Sequence, residues 1–346
     1  LADTALFVAR PTDVAVLRGA LDSARAGSSR SVVLEAPLGG GKRAVVGELV
    51  RNLPKDEDFL VVRAQLTDEE DGLRTLLRIY AAVYGALYRD PVLRGKVEMM
   101  LNAQLPQHGK RVQGWITAFI DGMKKAAPKE GEESFQVTLP RDNPLVGLVE
   151  ILSAIARKVN MVIELQNVHN SHSVSTWQFV EALHEARKQG KLLLILGTEP
   201  TGDSAKAWMP APWLDLLERR GGEFTRLSLA PWGAEEVSAY CASKGIEGVA
   251  APGRVAELAK GRPAYVAEGV DRLVELRRQG EAPDGVGLLD LTPTAINVDD
   301  LEDAPEKPGA RKHAGAEDAE RAQYLAALLG LAFPSGLVAD VGEYER

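Results

Sequence analysis

The chain is poor in cysteine, in aromatic residues and in long apolar runs. One cysteine, Cys241, in 346 residues excludes an intramolecular disulfide framework and any cysteine-rich zinc site. No apolar run approaches the roughly 18 residues that a membrane-spanning helix needs, and the start lacks a basic-then-apolar signal pattern. Basic residues are outnumbered: 41 Lys and Arg against 49 Asp and Glu leave a net charge of −8. That balance gives no general electrostatic footprint for nucleic acid or an anionic membrane. There is no G-x-S-x-G elbow and no paired-carboxylate constellation. Five histidines are present, and His169 and His172 fall close together, but no further ligand is signalled beside them. They read as part of a polar surface loop. Cys241, among apolar neighbours on a helical stretch, reads as an inert packed thiol. The expectation is a soluble, cytoplasmic protein with no membrane insertion and no bound metal.

What remains is an ordinary globular composition, 45% apolar and 26% charged, long enough for about two domains. Val14, Leu17, Leu21 and Ala24 recur at helical spacing. A β-branched strand follows at 31–35, then Gly39, Gly40 and Gly41, a helix from Lys42 to Leu53, and a strand at 59–63. Residues 71–127 are mostly helical. In that stretch Trp115 and Phe119 should face inward, while Lys110, Arg111, Lys124, Lys125 and Lys129 face solvent. Further strands are predicted at 160–165, 191–197 and 223–229. The alternation predicts an α/β fold, a parallel sheet sandwiched by helices. After Pro231 the strand signals stop and three helices form a small all-α domain. The predicted boundaries are a sheet domain over 1–205 with a helical insertion near 71–145, and a helical lid over 206–280. An acidic, Pro/Gly-rich linker over 281–316 and the start of a further helical domain over 317–346 follow.

The informative segment is Ala36-Pro-Leu-Gly-Gly-Gly-Lys42-Arg43. A Walker A loop reads G-x-x-x-x-G-K-[ST] between a strand and a helix. Its backbone N–H groups curl round phosphates at a helix N-terminus, and its lysine neutralises the terminal ones. Gly39, Gly40 and Gly41 allow that close approach, and Lys42 stands at the lysine position. Ala36 replaces the first glycine, which is tolerable at negative φ. Arg43 replaces the hydroxyl that would touch Mg²⁺. A guanidinium repels a cation, though it can pair with phosphate directly. The bland alternative is a Gly-rich strand-to-helix turn with no ligand.

In this context the chain resembles, over nearly its whole length, the AAA-like module of STAND and ORC-type P-loop NTPases. Phe7-Val-Ala-Arg10 is similar to the family's "F-V-G-R-E" segment, which implies Val8 and Arg10 beside the adenine. Met161-Val-Ile-Glu-Leu-Gln-Asn167 sits where the Walker B strand belongs. Leu192 to Thr198 resembles the sensor 1 strand, and Leu227-Ser-Leu-Ala-Pro-Trp-Gly-Ala-Glu-Glu-Val237 resembles the opening of the helical lid. Gly261-Arg-Pro-Ala is similar to the lid's GxP motif, which implies Pro263 near the base. Residues 319–335 resemble the first helix of a winged-helix domain, so the expectation is the N-terminal or middle part of a longer regulatory protein. By resemblance, Gly39, Gly40, Gly41, Lys42, Arg43, Val8, Arg10, Thr198 and Pro263 would bind ATP or ADP.

Two registers are open for the Walker B strand. One puts Ile163 at the metal-binding aspartate and Glu164 at the catalytic acid that polarises water. The other makes Glu164 the metal-site acid. Glu164 also fits a polar residue ending a buried strand, and Thr198 fits either a γ-phosphate contact or a turn cap. With Arg43 and Ile163 in place of both usual Mg²⁺ contacts, Mg²⁺ binding should be weak or absent. The resemblance then implies a degenerate nucleotide-binding or nucleotide-relic module. It would act as a regulator or scaffold through protein partners, with little or no hydrolysis and no role for nucleic acid. The alternatives are an active STAND-type ATPase switch and an ORC-like DNA-binding module.

Overall fold

The computed structural model describes residues 10–66, 72–125, 143–186, 188, 190–200, 209–246 and 252–279. Val8, the linker and the winged-helix-like segment lie outside them. The described residues divide into two compact units. One comprises residues 10–36 and 42–229; the other joins residues 37–41 to the chain from Ala230 onward.

In the larger unit, helix α1 (Pro11–Arg25) starts with proline in its first turn and Asp13 near its positive end. Val14, Leu17, Leu21 and Ala24 form its buried stripe. Strand β1 (Arg30–Glu35) is followed by α2 (Lys42–Arg51) and β2 (Phe59–Gln65). Helices α3 (Gly72–Arg89), α4 (Pro91–Gln104), α5 (Lys110–Lys125) and α6 (Pro144–Ala156) precede β3 (Asn160–Gln166). Then come α7 (Val174–Ala186), β4 (Leu192–Thr198), α8 (Ala211–Arg220) and β5 (Thr225–Ser228). All pairings are parallel, in the spatial order β2-β3-β4-β1-β5. Central β3 and β4 are buried at every position, whereas edge strands β2 and β5 alternate or are mostly exposed. That difference is why the central strands read as continuous apolar runs.

The sheet separates two layers. Val33, Val62, Ile163, Leu165, Leu194 and Leu196 face the core built with α3 to α8. Helix α1 packs across β1, β4 and β3 and against α2 on the opposite face. Strand residues of the other parity, Glu164 among them, therefore face α1 and α2. Trp115, Phe119 and Met123 of α5 are buried, with the Phe119 ring 5.1 Å from that of Tyr84. Lys110, Arg111, Lys124 and Lys125 are exposed. The sheet unit runs to Leu229 rather than ending near residue 205, because β5 pairs with β1. Glu223 lies in a short 3-10 turn ahead of β5 rather than in the strand.

The smaller unit has its own core. Helix α9 (Ala234–Ser243) is capped by Glu236, whose carboxylate accepts from the Gly233 N–H at 2.9 Å. Helices α10 (Pro252–Leu258) and α11 (Pro263–Gln279) pack on it through Trp232, Tyr240, Cys241, Val255, Val266 and Val270. Cys241 is fully buried, and burial raises its thiol pKa, so it is the packed thiol expected of it.

Ile163→Asp tests the facing of β3 directly. It buries a carboxylate among Leu165, Leu194 and their neighbours with no cation beside it, and should cost about 4 kcal/mol or more. Urea denaturation should show that loss; an unchanged midpoint would mean that Ile163 faces the other way.

Candidate functional site

The loop after β1 needs its glycines for conformation and for space. Gly39 and Gly41 have φ of 74° and 92°, which side-chain-bearing residues rarely adopt. The Gly40 N–H closes a turn onto the Pro37 carbonyl at 2.9 Å. Within the smaller unit this loop meets the start of α11. The Ala264 N–H donates to the Gly39 carbonyl at 3.1 Å, and a Cβ on Gly41 would touch the Pro263 ring. Gly39, Gly41 and Pro263 are thus gathered in one place. Ala36 keeps an ordinary negative φ, so the lost first glycine costs the backbone nothing.

Within the larger unit, Lys42 opens α2 and donates from Nζ to the Ala36 carbonyl. Gly197 on β4 lies beside it: a Cβ there would sit 3.9 Å from the lysine Cδ, in ordinary van der Waals contact. Burial pulls the Lys42 pKa down to about 8, with the Glu199 carboxylate pulling it back up. At neutral pH most of the lysine is charged.

Beside Lys42 lies a second group of polar residues. Asn167 takes a left-handed φ of 54° and turns the chain from β3 into a 3-10 turn that carries His169. The Glu199 N–H donates to His169 Nδ1 at 3.3 Å, which leaves Nε2 as the protonated nitrogen of the neutral ring. Thr198 Oγ1 lies 3.5 Å from the same Nδ1, and Glu199 Oε1 lies 3.9 Å from Nε2. The surface-loop expectation therefore holds for His172, which is exposed, and fails for His169, which is 7% exposed. The turn at Asn167 folds His169 back over the strand ends, something that spacing alone does not reveal.

The third group settles the orientation of the acidic strand. Parallel pairing sets Arg63 opposite Glu164, and Arg63 Nε lies 2.5 Å from Glu164 Oε2. The other end of the same guanidinium reaches the Arg43 carbonyl at 3.4 Å. Glu164 is 1% exposed; burial raises its pKa, while Arg63 foremost, then Gln166 and Arg43, oppose that rise. Ile163 points into the apolar core. It is thus Glu164, not Ile163, that faces the first turn of α2. Arg10 is buried at the start of α1, with Nη1 3.4 Å from Asp13.

These residues do not fit Mg²⁺. The carboxylate that would ligate the ion is held by a guanidinium, and the position that would supply a hydroxyl carries a second one. Among the described residues, His184, Glu185 and Glu223 also cluster. Lys188 and Arg220 lie within 3.5 Å of both carboxylates, so that group is an ion-pair network. His184 Nδ1 lies 2.9 Å from Ser31 Oγ, near the opposite end of β1 from the Gly-rich loop.

Arg63, His169 and Glu199 are the site residues that sequence reading misses. The one available signal was Arg63, a charged residue inside a β-branched strand.

A five-stranded parallel sheet in which an interior strand feeds a Gly-rich, lysine-bearing turn into a helix is the P-loop NTPase fold. No family profile and no curated sequence matches the chain. Solved structures do resemble it. The Aeropyrum pernix ORC1 protein in complex with DNA is 16% identical over 99% of this chain and 84% of its own, with a TM-score of 0.49. Drosophila ORC bound to DNA is 12% identical over 97% and 78%, at 0.46. A STAND protein with a tetratricopeptide repeat sensor from Pyrococcus horikoshii is 13% identical over 84% and 33%, at 0.41. Likeness this distant carries no ligand, reaction or partner over to this chain. No described helix is long and apolar enough to cross a membrane.

Burial, with Lys42 adding to it, pushes the His169 pKa down to about 4 from an ordinary 6.5. Between those values the unfolded chain takes up a proton that the folded one refuses, so stability falls as pH drops through 6.5 towards 4. The loss should reach about 3 kcal/mol. His169→Gln should flatten that limb of a Tm-against-pH curve; an identical acid limb would place the ring in water.

Proposed function

We propose that this chain binds ATP or ADP through residues Gly39 to Arg43 and works as a regulatory or scaffold module with little or no hydrolysis. The observation that carries the reading is the pairing of two features. A Gly-rich loop and Lys42 stand at the carboxyl end of a central parallel strand, where open α/β sheets take their ligands. Glu164, the acid that either register of the Walker B strand would use, is engaged by Arg63. Phosphoryl transfer in this fold class leans on a metal that neutralises developing charge, and the residues here are arranged against one. Binding without turnover leaves nucleotide as a signal. Thr198 and the His169–Glu199 pair beside Lys42 would sense the terminal phosphate, and Pro263 would support the loop.

On this reading the output is a protein partner rather than DNA. The support is the net charge of −8, which disfavours phosphate-backbone binding. A gel shift with duplex DNA at low and high salt tests that part, and a salt-sensitive shift with affinity in the usual specific range would replace it.

Titration with labelled ATP should give saturable binding that Lys42→Ala weakens about a hundred-fold, while phosphate release stays at background. Steady turnover abolished by Lys42→Ala would replace this reading with that of an active ATPase switch. Because Lys42 loses its proton near pH 8, affinity should fall between pH 7 and 9. Lys42→Arg should remove that fall.

A further inference from the structure

We propose that the Arg43–Arg63–Glu164 cluster takes the place of the metal ion, so that the polyphosphate held at Lys42 is bound as the uncomplexed anion and Mg²⁺ competes with binding. The inference rests on the nucleotide reading above and specifies the chemical form of its ligand. The charge balance is the first argument. A divalent ion held by one carboxylate leaves a local charge of +1. The Arg63 guanidinium paired with Glu164, together with the Arg43 charge that acts on the same carboxylate, leaves +1 as well, with no metal. Geometry is the second. Arg63 and Glu164 are paired in register on neighbouring strands, and Arg63 spans from Glu164 to the backbone of Arg43 at the start of α2. Glu164 is buried while the Arg63 side chain remains 37% exposed. The carboxylate thus anchors the guanidinium through Nε and the Arg43 carbonyl engages Nη2, which leaves the Nη1 side for a ligand. Both arginines present planar N–H forks suited to phosphate oxygens, which a hydrated metal ion would otherwise occupy.

A metal ion arriving with the nucleotide is opposed on this side of the site. Its positive charge faces two guanidiniums, the Glu164 carboxylate is already engaged in a buried pair, and the Glu199 carboxylate lies against Lys42 and His169. Mg²⁺ in solution would instead hold phosphate oxygens that Arg43 and Arg63 could bind.

Calorimetric titration of the full chain with ATP, once with EDTA and once with excess Mg²⁺, tests this. Binding should be tighter in EDTA, about ten-fold if Mg²⁺ costs one charge-assisted contact. The double variant Arg43→Thr/Arg63→Gln leaves Glu164 with a neutral hydrogen-bonding neighbour and restores a hydroxyl at 43. In it the order should invert, with Mg²⁺ tightening binding. ATP binding to the unaltered chain that requires Mg²⁺ would overturn the inference and leave the nucleotide reading standing. No ATP binding in either buffer would overturn both. A double variant that is folded by its thermal transition, yet still favours EDTA, would assign the preference to some other group.

Discussion

Because every strand in the sheet pairs in parallel, each must be reached by a crossover, both faces must be covered, and all five carboxyl ends finish on one edge. The rest of the molecule depends on that arrangement. It delivers Glu35 of β1, Gln166 of β3 and Thr198 of β4 to the same edge, although they are far apart in the chain. It also makes the strand interior a matter of parity. Residues of β3 separated by one position face different layers, so Ile163 joins the apolar core while Glu164 meets α2 and Arg63.

The polar residues at that edge are organised around buried charge. Lys42, Glu164 and His169 are each taken largely out of water, and each answers with a displaced pKa and a near neighbour. Lys42 has the Ala36 carbonyl and Glu199, Glu164 has Arg63, and neutral His169 has the Glu199 backbone. Perturbed groups gathered at strand ends are where a function is sought. What distinguishes this edge is the buried Glu164 carboxylate paired with Arg63, with the Arg43 charge acting on it as well.

Much of the architecture was legible before any coordinates. The strands near 31–35, 59–63, 160–165 and 191–197 all exist; three of them are interior parallel strands, which must be apolar on both faces, and edge strand β2 opens on the apolar run 59–62. Short edge strand β5 was placed too early, at 223, since an edge strand exposed at three of four positions leaves a weak pattern. Its pairing with β1 places the stretch up to Leu229 in the same compact unit as the sheet, a long-range contact that local patterning does not carry.

For the site, residue types and local spacing were enough to single out the loop from Gly39 to Arg43, since its chemistry is contiguous in the chain. Local sequence also determined that Arg43 denies a metal its hydroxyl. Only the tertiary structure decided what Glu164 does, because its partner Arg63 lies 101 residues away and meets it through strand register. The same holds for His169, which two turns of backbone bring beside Thr198 and Lys42. Helical and strand periodicities are short-range properties of the chain. The pairing of charges across strands follows from register and burial, which exist only once the sheet has formed.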